Sequence, residues 1–146
     1  MYTIGQVSEM FQLPISTLRY YDKEGLFPDL QRVSGARRFS ENEVEALRVI
    51  ECLKKSGLEI KDIKKFMDWS TQGSQTYEQR KVLFEQQRLV VEEEMRKLDK
   101  VLSMLKYKCW YYDQAIEDGN EEQIAGLLPD RLPAEIQASY DRAHAS

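Results

Sequence analysis

Leu18-Arg19-Tyr20-Tyr21-Asp22-Lys23-Glu24-Gly25-Leu26 is the stretch that decides the fold. Pro14 stands just ahead of it, where its fixed φ suits a helix start, and Ser16 is placed to cap that start. Gly25 can take the left-handed conformation that closes a helix, with Leu26 as the apolar residue just beyond. An isolated helix of roughly two or three turns is marginal in water, so something else must hold it. Its middle is unusual, with a cation and two adjacent tyrosines. Thr17, Arg19 and Tyr20 read as a face aimed at a nucleic acid, with Leu18 and Tyr21 turned to the core. The rest of the chain then reads as scaffold, pairing device and input device for this helix.

Working outward, Thr3 opens the preceding helix. Gln6 completes a capping box with it, and Tyr2 is set to staple against Val7. Ile4, Val7, Met10 and Phe11 recur at helical spacing. Leu13-Pro14 turns the chain, because a residue before proline avoids the helical region. Two short helices joined by a tight turn are the helix-turn-helix pattern. On the other side, residues 26–39 have no helical period. Ser34-Gly35 marks a turn between two short extended segments, so a small hairpin is expected there. Arg32, Arg37 and Arg38 give it three cations against Asp29 alone. A solvated basic loop is the plain alternative, but an Arg pair next to a tight turn favours a wing that grips backbone phosphates.

Ser40 caps a third helix, with Glu43 as box partner and Phe39 with Val44 as staple. Val44, Ala46, Leu47, Val49, Ile50 and Leu53 fill one broad apolar arc, and Gly57 ends the helix. Cys52 lies off that arc, among Glu45, Arg48, Glu51 and Lys55. A fourth helix is expected from about Glu59 to Trp69, with Ile60, Ile63, Phe66 and Met67 inward. After a polar break, Thr76 and Gln79 form another capping box. No proline or glycine follows until Gly119, so a helix about 60 Å long is expected. Tyr77, Phe84, Val91, Leu98, Leu105 and Tyr112 fall at one seven-residue spacing. Val101, Leu102, Cys109, Ala115 and Ile116 follow three or four places on, while Arg80, Gln87 and Glu94 spoil the second seam early. This is a coiled-coil pattern. A stripe so long exceeds what a small domain can cover, so a second copy of the chain is the simplest partner. Beyond Gly119, Pro129 and Pro133 break any regular pattern, and a partly mobile tail with a short helix near Ala134–Ala143 is expected.

Residues 1–70 hold eleven Lys/Arg and eleven Asp/Glu, whereas residues 71–146 hold ten and fourteen, so the whole net charge of −4 lies in the second half. An acidic total argues against indiscriminate nucleic-acid binding but not against a locally basic face. Cys52 and Cys109 have no metal-ligand spacing, and His144 is the sole histidine, so neither a metal nor another cofactor is expected. There is no signal peptide and no window apolar enough to span a bilayer, which makes a reduced cytoplasm the expected location and a membrane an unexpected partner.

Three blocks resemble the MerR family of bacterial transcription regulators in order and spacing. They are Thr3-Ile4-Gly5-Gln6-Val7, then Thr17 through Leu26, then Gly35-Ala36-Arg37-Arg38-Phe39-Ser40. Leu53 through Ile63 is similar to the segment joining that family's third and fourth helices. The resemblance covers about residues 2–115. It implies a mainly α protein: a winged helix-turn-helix domain over 1–70 with two supporting helices, a dimerisation helix over 74–118 pairing as an antiparallel coiled coil, and a C-terminal tail over 119–146. It also implies a homodimer with two recognition helices in successive major grooves of a pseudo-palindromic promoter spacer. That DNA is remodelled for RNA polymerase when an inducer is present. By this resemblance the DNA contacts fall on Thr17, Arg19 and Tyr20 of the helix, on Arg37 and Arg38 of the wing as phosphate-neutralising cations, and on Lys61 at the start of the fourth helix.

Two readings of the input remain. A lone cysteine in the third helix resembles a branch of the family that responds to aldehydes and other electrophiles. Arg48 and Lys55, each about one turn from Cys52, favour the reactive thiolate, and Glu45 and Glu51 oppose it. The alternative has Cys52 packing as a small hydrophobe against the partner's long helix. Near Cys109, the run Trp110-Tyr111-Tyr112 is the kind of cluster that lines a site for a small apolar inducer, although such clusters more often serve packing. An enzyme would need a nucleophile–base set or paired acids in a pocket, and none is visible. A coiled-coil protein adaptor has no need of the wing's cations. A repressor or architectural protein that does not activate is not separable from an activator by sequence.

Overall fold

The computed structural model describes residues 1–146. Strand β1 (Tyr2–Thr3) leads into helix α1 (Ile4–Phe11) and then α2 (Ile15–Lys23). The hairpin strands β2 (Gln31–Val33) and β3 (Ala36–Phe39) follow, then α3 (Glu41–Lys55) and α4 (Ile60–Thr71). A 3₁₀ turn (Gly73–Thr76) leads into α5 (Tyr77–Asp118), which is followed by α6 (Glu122–Ala125) and α7 (Ala134–Ala143). No helix is long and apolar enough to cross a membrane. The chain divides into two units, Met1–Gln87 and Arg88–Ser146.

In the first unit the capping box at Thr3 forms as its residues require. The Gln6 amide donates to Thr3 Oγ1 at 3.1 Å and the Thr3 amide donates to Gln6 Oε1 at 2.8 Å. α1 closes at Gln12, a non-glycine residue in the left-handed region at φ 53°. Pro14 itself is the residue at the cap of α2, so Ser16 falls inside the first turn and makes no capping hydrogen bond. Gly25 ends α2 at φ +83°, and the Leu26 amide reaches back to the Tyr21 carbonyl at 3.0 Å. That turn delivers Leu26 and Phe27 into a core with Val7, Leu18, Tyr21, Phe39, Leu47 and Ile63. Phe27 meets Phe39 edge-on at 5.5 Å.

Some local expectations fail for identifiable reasons. Ser40 stands at the start of α3, but its hydroxyl donates to the Glu43 carboxylate instead of accepting from a backbone amide. The Thr76 hydroxyl lies 2.7 Å from the Trp69 carbonyl, tying the 3₁₀ turn to α4. Val49 is exposed, so the apolar arc of α3 is narrower than the sequence suggests. Two of the three apparent flaws in the long helix's second seam, Arg80 and Gln87, are anchors, whereas Glu94 is simply exposed. Arg80 Nη2 donates to the Gly73 carbonyl at 2.6 Å, and Gln87 Nε2 donates to the Ser56 carbonyl at 2.7 Å. Phe84 stacks edge-on with Phe66 at 5.2 Å. The first turns of α5 therefore pack on α3 and α4, and need polar side chains where carbonyls face them.

Gly57 supports the same joint. It has φ +91°, and a Cβ there would fall 2.7 Å from Gln87 Nε2. Gly57→Ala is expected to cost about 1–3 kcal/mol, because both the left-handed backbone and the Gln87 contact are lost. Urea melts of the two proteins measure it.

In the second unit, residues 119–146 pack back on the later part of α5, in contrast to the partly mobile tail expected. Tyr107, Ile124 and Leu132 are buried together with Ser103 and Ser139. Tyr140 meets Tyr107 edge-on at 5.0 Å, and Arg142 pairs with Asp99 at 3.6 Å. The breakers Pro129 and Pro133 produce a turn that brings α7 back, an outcome that periodicity alone does not reveal. Tyr107 and Tyr111 thus pack within their own chain, while Tyr112 and Ile116 remain exposed.

The Tyr111 hydroxyl donates to Glu121 at 2.7 Å, and this bond to a carboxylate pushes its pKa up to about 12. The folded-state value lies above the ordinary phenol value of 10.0, so this contribution is complete below that pH and is lost as pH rises through about 12. A Tyr111→Phe chain is expected to lose this component of its alkaline unfolding between those values, as read by circular dichroism.

Candidate nucleic-acid interface

The exposed face of α2 is set by which of its residues the core takes. Leu18 is fully buried and Tyr21 nearly so, at 0% and 1% exposure, so the intervening Arg19 and Tyr20 face outward. Thr17 is half-buried beside them. Tyr21 is further fixed by its hydroxyl, which donates to Glu51 at 2.8 Å and accepts from Lys54 Nζ at 2.9 Å. Burial raises the Tyr21 phenol's pKa and keeps it protonated, as the donor role requires.

Arg19 opens onto a cleft of about 340 Å³ shared with Thr3, Ile4, Gly35, Ala36, Arg37 and Arg38. Tyr20 opens onto a second groove of about 660 Å³, formed with the C-terminal end of α3 and the start of α4. Lys61 lines it, 3.8 Å from Glu59 with both side chains largely exposed, a weak surface pair. Lys54, Lys64 and Lys65 line it as well, and sequence reasoning missed all three. The signal was available, since Lys61, Lys64 and Lys65 share a helical face at three- and four-residue spacing.

The two wing arginines differ. Arg37 Nε donates to Asp22 Oδ2 at 2.7 Å, and both side chains are about four-fifths buried. Arg38 has no ion pair closer than 4.0 Å. Arg32 lies opposite Arg37 in the hairpin and 3.7 Å from the same carboxylate.

Cys52 and Cys109 are both free thiols on exposed positions. The Cys52 carbonyl accepts from the Ser56 amide at 3.2 Å and the Ser56 hydroxyl at 3.1 Å. Of the two cations flanking Cys52, Arg48 is paired with Glu45 and Lys55 has no ion pair. No group of His, Cys, Asp and Glu is arranged to hold a metal ion.

A short buried-core helix with a cation and a tyrosine on its open face, a two-stranded wing and a leading helix at a tight turn together define a winged helix-turn-helix protein. A family model described as MerR HTH family regulatory protein matches residues 2–69. An HTH-type transcriptional regulator of Haemophilus influenzae is 38% identical over 124 residues, covering 84% of this chain and 92% of that one. The crystal structure of HiNmlR, a MerR family regulator lacking the sensor domain and bound to promoter DNA, superposes with TM-score 0.64 at 36% identity. That match covers 84% of this chain and 98% of the other. A MerR family regulator from Bacillus thuringiensis superposes with TM-score 0.57 at 46% identity, over 74% of this chain and 96% of its own. The chain belongs to the MerR family of transcriptional regulators.

Proposed function

We propose that this chain binds double-stranded promoter DNA as a homodimer in the cytoplasm and acts on transcription without turning over a substrate. Residues 1–70 bind the DNA, residues 74–118 pair two chains, and residues 119–146 brace the pairing helix. The observation that carries the reading is the open face of α2, where Arg19 and Tyr20 stand between the wing cleft, whose charged side chains are all arginines, and a groove lined by four lysines and three carboxylates. Thr17 and Arg19 approach base edges or phosphate, Tyr20 donates to phosphate, and Arg38 and Lys61 neutralise phosphates on either side. Two-fold pairing through α5 demands inverted half-sites, and RNA polymerase meets the protein indirectly, through the DNA it reshapes.

Fluorescence anisotropy with a duplex from upstream of its own gene tests this. The logarithm of affinity is expected to fall linearly with the logarithm of salt, by about 0.9 for each phosphate neutralised. Affinity insensitive to salt would place the partner elsewhere, with a protein.

The input is assigned to Cys52. Its exposure on α3 and its link through Ser56 to Gln87 of α5 favour a thiol whose alkylation by an aldehyde or other electrophile shifts the bound dimer toward its activating shape. A reporter strain carrying Cys52→Ser is expected to lose aldehyde induction while keeping operator binding. Undiminished induction in that strain assigns the signal elsewhere, for instance to a small apolar molecule.

A further inference from the structure

We propose that Arg37 is a positioning residue and not a phosphate contact: with Asp22 it clamps the wing to α2, leaving Arg38 as the wing's phosphate-neutralising cation. The proposal rests on the DNA-binding reading above for its function, but its geometry stands without DNA.

The pleat of β3 divides the two arginines. Side chains two apart on a strand share a face, and those one apart do not. Phe39 is buried in the core at 1% exposure, so Arg37, two residues before it, shares its face of the sheet, while Arg38 lies on the other face; both are half-buried, and it is Arg37 alone that is ion-paired. Under Arg37 lies the last turn of α2, and Asp22 stands there as its acceptor at 2.7 Å.

The hairpin register supplies an independent reason for the carboxylate. Arg32 and Arg37 are directly opposed across the antiparallel pair. Like charges in that relation repel and weaken a hairpin. Asp22 sits against both guanidiniums, at 2.7 Å and 3.7 Å, and offsets the repulsion. Arg32 Nη1 also donates to the Gly35 carbonyl at 3.1 Å, closing the turn. The wing has only two short strands beside the two residues of β1, and such a small sheet has little stability of its own. Without Asp22 it carries two unneutralised opposed arginines and no tie to α2. A charge-assisted bond through Arg Nε is directional, so it sets the angle of the wing as well as its attachment.

Two measurements on the full-length protein test the clamp. The first is DNA affinity against salt by anisotropy for Asp22→Asn, Arg37→Gln and Arg38→Ala. Arg38→Ala is expected to reduce the slope by about 0.9 per subunit. Asp22→Asn and Arg37→Gln are expected to leave the slope unchanged and to lower affinity on the order of tenfold, through the smaller fraction of time the wing is in place. The sign for Asp22→Asn is decisive. Removing an acid near the DNA raises affinity if only long-range electrostatics act, whereas losing the clamp lowers it. Tighter binding by Asp22→Asn, or a slope for Arg37→Gln that falls as it does for Arg38→Ala, overturns the proposal.

The second measurement uses no DNA: amide hydrogen exchange across residues 31–39. Exchange there is expected to accelerate roughly tenfold in Asp22→Asn and Arg37→Gln, with partial recovery of protection in Asp22→Glu. Unchanged protection in both variants refutes the clamp whatever the DNA result. If the unaltered protein and every variant bind DNA without salt dependence, the DNA-binding reading fails, and the exchange data still decide whether Asp22 holds the wing.

Discussion

Aspartate at both Leu98 and Leu105 is expected to leave a folded monomer that has lost nearly all operator affinity. These side chains are 67% and 56% exposed in the single chain, so the substitutions remove no contact on which its own fold relies. Burying a leucine contributes about 1.5–3 kcal/mol, and the change removes two from each chain. Across a dimer the loss is roughly 6–12 kcal/mol before the cost of burying four carboxylates, enough to abolish most protein associations. A monomer holds one half-site and forgoes the gain from linking two binding events, which reaches 10²–10⁴ in affinity. The salt slope is expected to fall to about half as well, because half the phosphate contacts are gone. Sedimentation velocity and anisotropy on the same preparation check both parts, with circular dichroism reporting an unchanged helix content. A substituted chain that remains dimeric would show that the exposed stripe of α5 is not the pairing surface.

The next largest effect separates two neighbouring residues. Arg19→Ala is expected to cost about 1–3 kcal/mol of operator discrimination while leaving thermal stability within about 0.5 kcal/mol, because its side chain is exposed. Leu18→Ala is expected to cost about 2–5 kcal/mol of stability, because that side chain is fully buried in the core that also holds Val7, Leu26 and Ile50. The contrast follows from the helical pitch, which turns adjacent residues to different surroundings. Affinity measured at fixed salt and urea melts, run on both variants, separate the roles. Equal loss of stability in the two would remove the basis for calling Arg19 part of an open face.

Much of this was legible in the residues because local rules acted without competition. The Thr3–Gln6 box, the left-handed Gly25 and Gly57, and the unbroken stretch from Tyr77 to Asp118 each depend on neighbours a few positions away. Expectations failed where a capping hydroxyl donated to another acceptor instead of accepting from a backbone amide. The Ser40 hydroxyl went to Glu43, and Thr76 went to the Trp69 carbonyl. Arg80 and Gln87 look like seam defects in a one-dimensional heptad and serve as anchors once the turns at Gly73 and Ser56 are placed beside them.

The candidate site shows the same division. Helical periodicity exposed Arg19 and Tyr20 and buried Leu18 and Tyr21, as expected from spacing. The sequence presents Arg37 and Arg38 together as a cationic pair; in the structure Arg37 is bonded to Asp22 and Arg38 has no ion pair. What periodicity does not hold is the identity of the acceptor beneath Arg37, because Asp22 lies fifteen residues away. The return of residues 119–146 onto α5 was hidden for a similar reason, since Tyr107 and Tyr140 meet across a turn built from prolines.

The most direct test is native mass spectrometry of the full chain with a duplex from upstream of its own gene, beside DNase footprinting of the same complex. Two chains per duplex, protecting two inverted half-sites about one helical turn apart or a multiple of it, is the result expected. One chain per duplex, or protection without inverted symmetry, contradicts the claim that pairing through α5 sets the spacing of two α2 helices on DNA.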